Sequence, residues 1–267
     1  MYKNYKIIDS HCHIYPDKIA EKAAHKTADF YNVISENNGM LSRLIELEKA
    51  AGVDHVVVQS VATAPSQVRS INRFISQSVK ENDGYIIGLG TLHPDSDDIA
   101  GDIADILSFG LKGVKLHADI QGIAVDDKRC YKIYEICEGR LPILMHAGDY
   151  RYKLSNPDNF LPVLRAFPKL KIIAAHMGGW SVWEEALEKM VGFDNLYYDT
   201  SSVSGFTGTM MYSKLLDRYD ENRIMFGVDY PMFTPKREID ILLALERNGE
   251  EYRKIFSANA ATLYGLT

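Results

Sequence analysis

The chain has 267 residues, 46% of them hydrophobic and 25% charged, with a formal net charge of −6 and a sequence pI near 5.8. Its length suits one large domain, 1–267, and the acidic balance argues against a nucleic-acid binder, which needs a basic stripe to neutralise phosphates; a small soluble molecule is the expected partner. Three cysteines, Cys12, Cys130 and Cys137, give neither a disulfide framework nor a zinc-ribbon spacing, and no apolar run suits a signal peptide or a bilayer span, so a cytoplasmic location with no membrane contact is expected.

Eight short apolar runs rich in β-branched residues recur along the chain, at 6–9, 54–59, 85–91, 113–117, 142–146, 171–176, 196–199 and 223–229. They read as strands covered on both faces. The first leads straight into His11-Cys12-His13. Side chains two apart on a strand share a face, so His11 and His13 make half of a divalent metal site; the competing reading is a pair of surface histidines. Amphipathic helical patterns fill the intervals, beginning with Leu41, Leu44, Ile45 and Leu47 and continuing with Val68, Ile71, Phe74, Ile75 and Val79. Eight strands alternating with helices in about 250 residues predict a (β/α)8 TIM barrel, with 251–264 as an additional C-terminal helix over one end. An open doubly wound sheet is the runner-up, and the chain lacks the G-x-G-x-x-G turn that would favour it. The segment 17–38, which carries Tyr31, is either a lid over the site or a surface insertion.

Of eight histidines, five fall at or just past the C-terminal end of a predicted strand: His11, His13, His117, His146 and His176; Asp229 is placed likewise after the eighth. In a parallel barrel these ends surround one mouth, so the residues converge, and a metal site follows. Asp9, one pleat before His11, is placed to hydrogen-bond a ligand imidazole. The loop 148–153 offers Arg151 for a substrate carboxylate, against the alternative of a solvated charged loop. His93 either points into the mouth or caps a loop, His55 and His25 read as structural, and Trp180 and Trp183 as packing residues.

The runs His11-Cys12-His13, Met145-His146-Ala147-Gly148, Ala175-His176-Met177-Gly178-Gly179, Gly227-Val228-Asp229-Tyr230-Pro231 and the closing Ser257-Ala258-Asn259-Ala260 resemble the amidohydrolase superfamily. More narrowly they resemble the branch that includes aminocarboxymuconate-semialdehyde decarboxylase. The resemblance implies a TIM barrel with one or two divalent metals at its mouth, zinc foremost. It implies His11, His13, His146 and Asp229 as ligands, with His176 a ligand or a catalytic acid/base. In dinuclear branches a fourth-strand lysine is a bridging carbamate, and Lys115 stands at a similar place; Gly-x-Lys-x-His also occurs in the mononuclear branch, where the lysine is no ligand. Lys115, His117 and Arg151 are then candidate substrate contacts.

The activity expected from this set is that of a metal-dependent hydrolase in which Asp229 takes the proton of a metal-activated water and His176 stabilises the oxyanion. A metal-dependent, non-oxidative decarboxylase is the alternative enzyme, and a degenerate barrel serving as a binding protein the alternative without catalysis. A TatD-type deoxyribonuclease shares the length and the opening H-x-H, but carries a glutamate where this chain has Gly113-Val114-Lys115-Leu116-His117. The branch often forms dimers, so a homodimer is the assembly it suggests.

Overall fold

The computed structural model describes residues 5–82 and 84–266, in which short parallel strands alternate with helices. The strands are β1 (Ile8–His13), β2 (His55–Gln59), β3 (Ile86–Gly88), β4 (Gly90–Thr91), β5 (Val114–Leu116), β6 (Ile143–Met145), β7 (Ile172–Ala174), β8 (Leu196–Asp199) and β9 (Ile224–Met225). β3 and β4 are two halves of the single predicted strand 85–91, the first pairing with β2 and the second with β5. Glycines flank the break because the outer layer presses close: a Cβ at Gly88 would lie 2.6 Å from the Leu111 side chain, and one at Gly90 2.6 Å from Ile106. The remaining seam, between β1 and the segment leaving β9, is closed by the amides of Ser10 (to Phe226 O, 2.9 Å), Asp229 (to His11 O, 2.8 Å) and His13 (to Tyr230 O, 2.7 Å). The architecture is the predicted TIM barrel.

Apolar side chains on both strand faces explain the continuous hydrophobic runs. Val56, Val58, Val114, Ile143 and Ile172 face outward to Leu44, Ile75, Ile106, Ile133 and Phe160 of the surrounding helices, while Ile8, Val57, Leu144, Ile173 and Met225 fill the interior. The C-terminal run consists of helices Gly249–Arg253 and Asn259–Tyr264 joined by a π-turn, Lys254–Ala258. Ala260, Leu263 and Tyr264 join the interior cluster, so this run stoppers the end from which the strands start. Asn259 secures it by donating through Nδ2 to the carbonyls of Ile224 (2.7 Å) and Glu221 (2.8 Å).

The paired strands stop short of the predicted ends, and the residues left beyond them include His117, His146, His176 and Asp229. Between β1 and β2, helix Ala20–Tyr31 ends at Asn32 in the left-handed conformation, and the following turn is bonded to the loop after β9: the Asn37 amide to Pro231 O (3.0 Å) and Asn37 Nδ2 to Phe233 O (3.2 Å). Of the two readings of 17–38, the structure gives the lid. Among the described residues no helix is long and apolar enough to cross a membrane.

Candidate metal centre

The site begins at an irregularity in β1, where the register against β2 shifts between Asp9 and Cys12. Asp9 stabilises it by accepting the backbone N–H groups of His11 (3.0 Å) and Val228 (3.0 Å), drawing the first and last strands together. The expectation that Asp9 would bind a ligand imidazole is corrected here, because Oδ1 takes these two amides and Oδ2 accepts the Cys12 thiol at 2.9 Å. The ring of His11 is bonded instead by Asp199, at the end of β8, with Nδ1 to Oδ2 at 2.8 Å. The other Asp199 oxygen accepts the amides of His176 (3.0 Å) and Ser201 (3.1 Å) and the Ser201 hydroxyl. Burial would raise the Asp199 pKa, but the His11 imidazole and these donors hold it well below the usual carboxylate range.

These outward partners fix where the imidazole protons sit. His11 donates from Nδ1 to Asp199, His176 from Nδ1 to Ser201 O (3.0 Å) and His146 from Nε2 to Gly148 O (3.0 Å). Three lone pairs are thereby turned inward: His11 Nε2, His176 Nε2 and His146 Nδ1. His11 Nε2 lies 3.2 Å from His13 Nε2 and 3.5 Å from Asp229 Oδ1, and His13 Nε2 lies 3.7 Å from the same oxygen. His146 Nδ1 faces His176 Nε2 at 3.0 Å, and the His176 ring stacks on His11 with centroids 5.2 Å apart. Lone pairs that face one another repel unless a cation lies between them.

This donor set fits a divalent ion. His11, His13 and Asp229 each offer one atom, the three standing 3.2, 3.5 and 3.7 Å apart, and ligands sharing an ion at roughly 2.1 Å bonds lie about 3–4 Å from one another. His146 stands one imidazole further out, against His176. Burial, reinforced by Lys115 and by neighbouring imidazoles, pushes His13, His117 and His146 well below the ordinary histidine range; burial brings His176 down to about 4 despite Asp229. These shifts favour neutral imidazole, the form that ligates. Asp229 accepts the Ser202 hydroxyl; burial would raise its pKa, but the imidazoles of His11, His176 and His13 lower it on balance. His176 (φ 58°) and Asp229 (φ 68°) both hold left-handed backbone, a costly conformation for residues other than glycine that sets where their side chains project.

Lys115 is 1% exposed and its Nζ lies 3.2 Å from His11 Nε2. Burial lowers its pKa to about 8 even with Asp199 and Asp229 favouring the cation. His117 caps the short helix Ala118–Gln121 by accepting the Ile120 amide at Nδ1 (3.4 Å), so its Nε2–H meets the Tyr31 hydroxyl oxygen at 2.6 Å. Tyr31 also stands 3.3 Å from His146 Nε2, and the His117 and His146 rings stack with centroids 4.2 Å apart.

Arg151 is placed differently from the sequence expectation. Its Nε and Nη2 bond Asp149 (3.0 and 2.7 Å), its Nη1 bonds Phe30 O at 2.6 Å, and its guanidinium packs on the rings of Phe30, Tyr31, Tyr152 and Trp180. It clamps its loop to the lid and does not line the cavity above the metal centre. His93 caps its own loop, accepting the Asp95 amide at Nδ1 (3.2 Å), and His55 bonds Gly84 O. Trp180 packs as expected and also lines the cavity, while Trp183 donates from Nε1 to His176 O at 2.9 Å.

Among the described residues three further groups of donors lie nearby, the first being His11, His176 and Asp199, already joined by the hydrogen bonds described above. Asp9, Cys12 and Glu48 form a buried cluster in which the Cys12 thiol donates to Asp9 Oδ2 at 2.9 Å, and burial and the two carboxylates push that thiol far above its ordinary range. In the group Asp119, His146 and Asp149, both Asp149 oxygens are bonded to Arg151.

Asp199, Ser201 and Ser202 are the site residues that sequence reasoning missed, and Tyr31 figures in it only as part of the candidate lid. Asp199 satisfies the rule that found the histidines, a polar side chain at the C-terminal end of an apolar strand, and was legible on that basis. Ser201 and Ser202 become meaningful only once Asp199 and Asp229 are placed. Tyr31 reaches the centre through the lid, and nothing in its sequence spacing signals that.

A TIM barrel whose mouth gathers imidazoles and a carboxylate belongs to the class of metal-dependent barrel enzymes. The chain matches the amidohydrolase family over residues 8–266, and it belongs to that family. No curated protein matches it. Among solved structures it resembles an uncharacterised TIM-barrel protein from Bordetella bronchiseptica, with 20% identity over 97% of this chain and 98% of that one and a TM-score of 0.79. It also resembles 5-carboxyvanillate decarboxylase from Sphingomonas paucimobilis (17% identity, 99% and 100% of the chains, TM-score 0.74). A dihydroxybenzoic acid decarboxylase from Polaromonas sp., solved with bound manganese, is similar at 15% identity over 98% and 97% of the chains, with a TM-score of 0.74.

Proposed function

We propose that the protein is a metal-dependent, non-oxidative decarboxylase of a small carboxylated molecule, with His11, His13 and Asp229 holding the ion and His146 and His176 completing or flanking its shell. The observation that carries this reading is the contrast between floor and walls: inward lone pairs, a carboxylate and Lys115 lie beneath a largely apolar cavity of about 540 Å³. A carboxylate bound there leaves water behind, and its loss as neutral carbon dioxide relieves the cost of that desolvation. The two decarboxylases that share the fold agree with this choice.

A bound divalent ion supplies Lewis acidity toward the substrate's oxygen atoms. Lys115 pairs with the substrate carboxylate and orients it, beside the hydrogen-bonded pair of His117 and Tyr31. The carbon–carbon bond to the carboxyl group breaks with its electron pair left on the substrate carbon, carbon dioxide departs, and a proton from solvent, relayed through the Asp229 carboxylate, bonds to that carbon in its place. The lid excludes water, and Tyr31 adds a hydroxyl beside His146. Zinc or manganese suits this set of nitrogen and oxygen donors.

Hydrolysis is the second reading, favoured by one observation: Asp229 Oδ1 stands 3.5 and 3.7 Å from the Nε2 atoms of His11 and His13, placed to take a proton from a water at the ion. Product analysis separates the two. Carboxylated aromatics and unsaturated acids, with esters, lactones and amides in parallel, are incubated with metal-loaded protein. Released carbon dioxide with the decarboxylated product is expected; cleaved ester, lactone or amide without carbon dioxide would overturn the decarboxylase in favour of the hydrolase.

A further inference from the structure

The cavity has two unlike halves. Its floor is formed by His13, Lys115, His117, His146, His176 and Asp229. Above the floor five aromatic rings make one continuous wall, each touching the next: Phe30 with Tyr31 (4.9 Å between centroids), Tyr31 with Trp180 (4.8 Å), Trp180 with Phe206 (5.3 Å) and Phe206 with Phe233 (6.2 Å). The lid and the loops after β7, β8 and β9 contribute them, so the wall exists only in the assembled mouth. Phe206 remains 40% exposed, an aromatic face with apolar surface still uncovered.

Charge is almost missing from this upper half. Among the described residues lining it the one charged side chain is Lys26, exposed at the rim, and no arginine lines the cavity, since Arg151 is closed onto Asp149 and Phe30 O. A second anionic group laid against the aromatic wall would lose its hydration with no cation in this half other than Lys26 at the rim. The volume, about 540 Å³, falls among pockets that enclose ligands well above single-ring size, roughly 300–1,000 Å³.

We propose that the substrate is a head-and-tail molecule: one carboxyl head for the floor, and an uncharged apolar body larger than a single six-membered ring laid along Phe30, Trp180, Phe206 and Phe233. The head rests on the function proposed above, whereas the body rests on the wall alone. Aromatic faces recognise such a body by apolar burial and edge-to-face contact.

Calorimetric titration of the metal-loaded protein with benzoate, 2-naphthoate and benzene-1,3-dicarboxylate tests it. Burying the second ring is expected to make 2-naphthoate bind about tenfold or more tightly than benzoate, and the dicarboxylate is expected to bind more weakly than benzoate. Phe206→Ala is expected to reduce the 2-naphthoate advantage to below about threefold, and Phe206→Leu, which keeps apolar surface, to restore most of it. Equal affinities for benzoate and 2-naphthoate, a preference for the dicarboxylate, or no binding of 2-naphthoate would overturn the proposal. The same comparison between phenol and 2-naphthol on metal-stripped protein isolates the wall from the head. A retained preference for 2-naphthol in a protein that holds no metal would leave the wall standing while the decarboxylase reading fell. A lost preference in a protein that binds metal and turns over would do the reverse.

Discussion

Asp199 shows how much of the centre depends on a residue that touches no ion. Its carboxylate bonds the back of the His11 ring at 2.8 Å and the amide of His176 at 3.0 Å, so it sets one imidazole's tautomer and another's backbone position. Outer partners of this kind typically contribute 10–100-fold to metal affinity. Asp199→Asn is expected to weaken metal binding by about that factor, measured by chelator competition, with the barrel still folded by circular dichroism. Unchanged affinity would mean that His11 needs no outer carboxylate. The residue scale also shows where sequence reasoning works. His11, His13, His117, His146, His176 and Asp229 were legible because strand ends in a parallel barrel share one mouth. Arg151 was misjudged because a cation near the mouth reads the same whether it faces a substrate or a buried carboxylate, and only the placement of Asp149 decides between them.

Between elements, side-chain links fasten loops that no strand pairing holds. Glu238, in the first turn of helix Pro235–Leu243, accepts the Ser204 hydroxyl with both oxygens (2.8 and 2.6 Å) and so ties that helix to the loop after β8. Burial raises its pKa from 4.5 to about 7, outweighing the Ser204 bond and Arg237. A carboxyl group raised on folding binds its proton more tightly in the native state. Its contribution is therefore complete below pH ~4.5 and declines as pH rises through ~7. Urea denaturation at pH 5 and pH 8 is expected to show a smaller pH-linked loss of stability in Glu238→Gln than in the parent, by on the order of 1–3 kcal/mol. An identical pH dependence in both would contradict the buried-acid account.

The lid depends on a comparable link. Arg151 joins Asp149 to Phe30 O, so Arg151→Ala is expected to speed amide hydrogen exchange in 20–38 several-fold while exchange in the barrel strands stays slow. Equal protection of the lid in both proteins would show that Asn37 and its bonds to the loop after β9 suffice. The sequence left 17–38 open between lid and insertion because the contacts that decide it, Asn37 to Pro231 and Tyr31 to His117, span 194 and 86 positions. The element rhythm itself was legible, apart from the break between Gly88 and Gly90, which depends on how closely Leu111 and Ile106 pack from outside.

For the whole molecule, the fold divides stability from chemistry along the barrel axis. The apolar interior and the C-terminal stopper lie toward the end where the strands start, and polar residues cluster where they finish. That polarity placed the site at one rim before its detailed geometry was known. The proposed chemistry requires His11, His13 and Asp229 to meet around one divalent ion. Anomalous diffraction from crystals of metal-loaded protein tests this most directly. A strong peak is expected within about 2.3 Å of His11 Nε2, His13 Nε2 and an Asp229 oxygen, lost in His11→Ala. A map with no peak at that rim, or with the ion held instead by Asp9, Cys12 and Glu48, would contradict it.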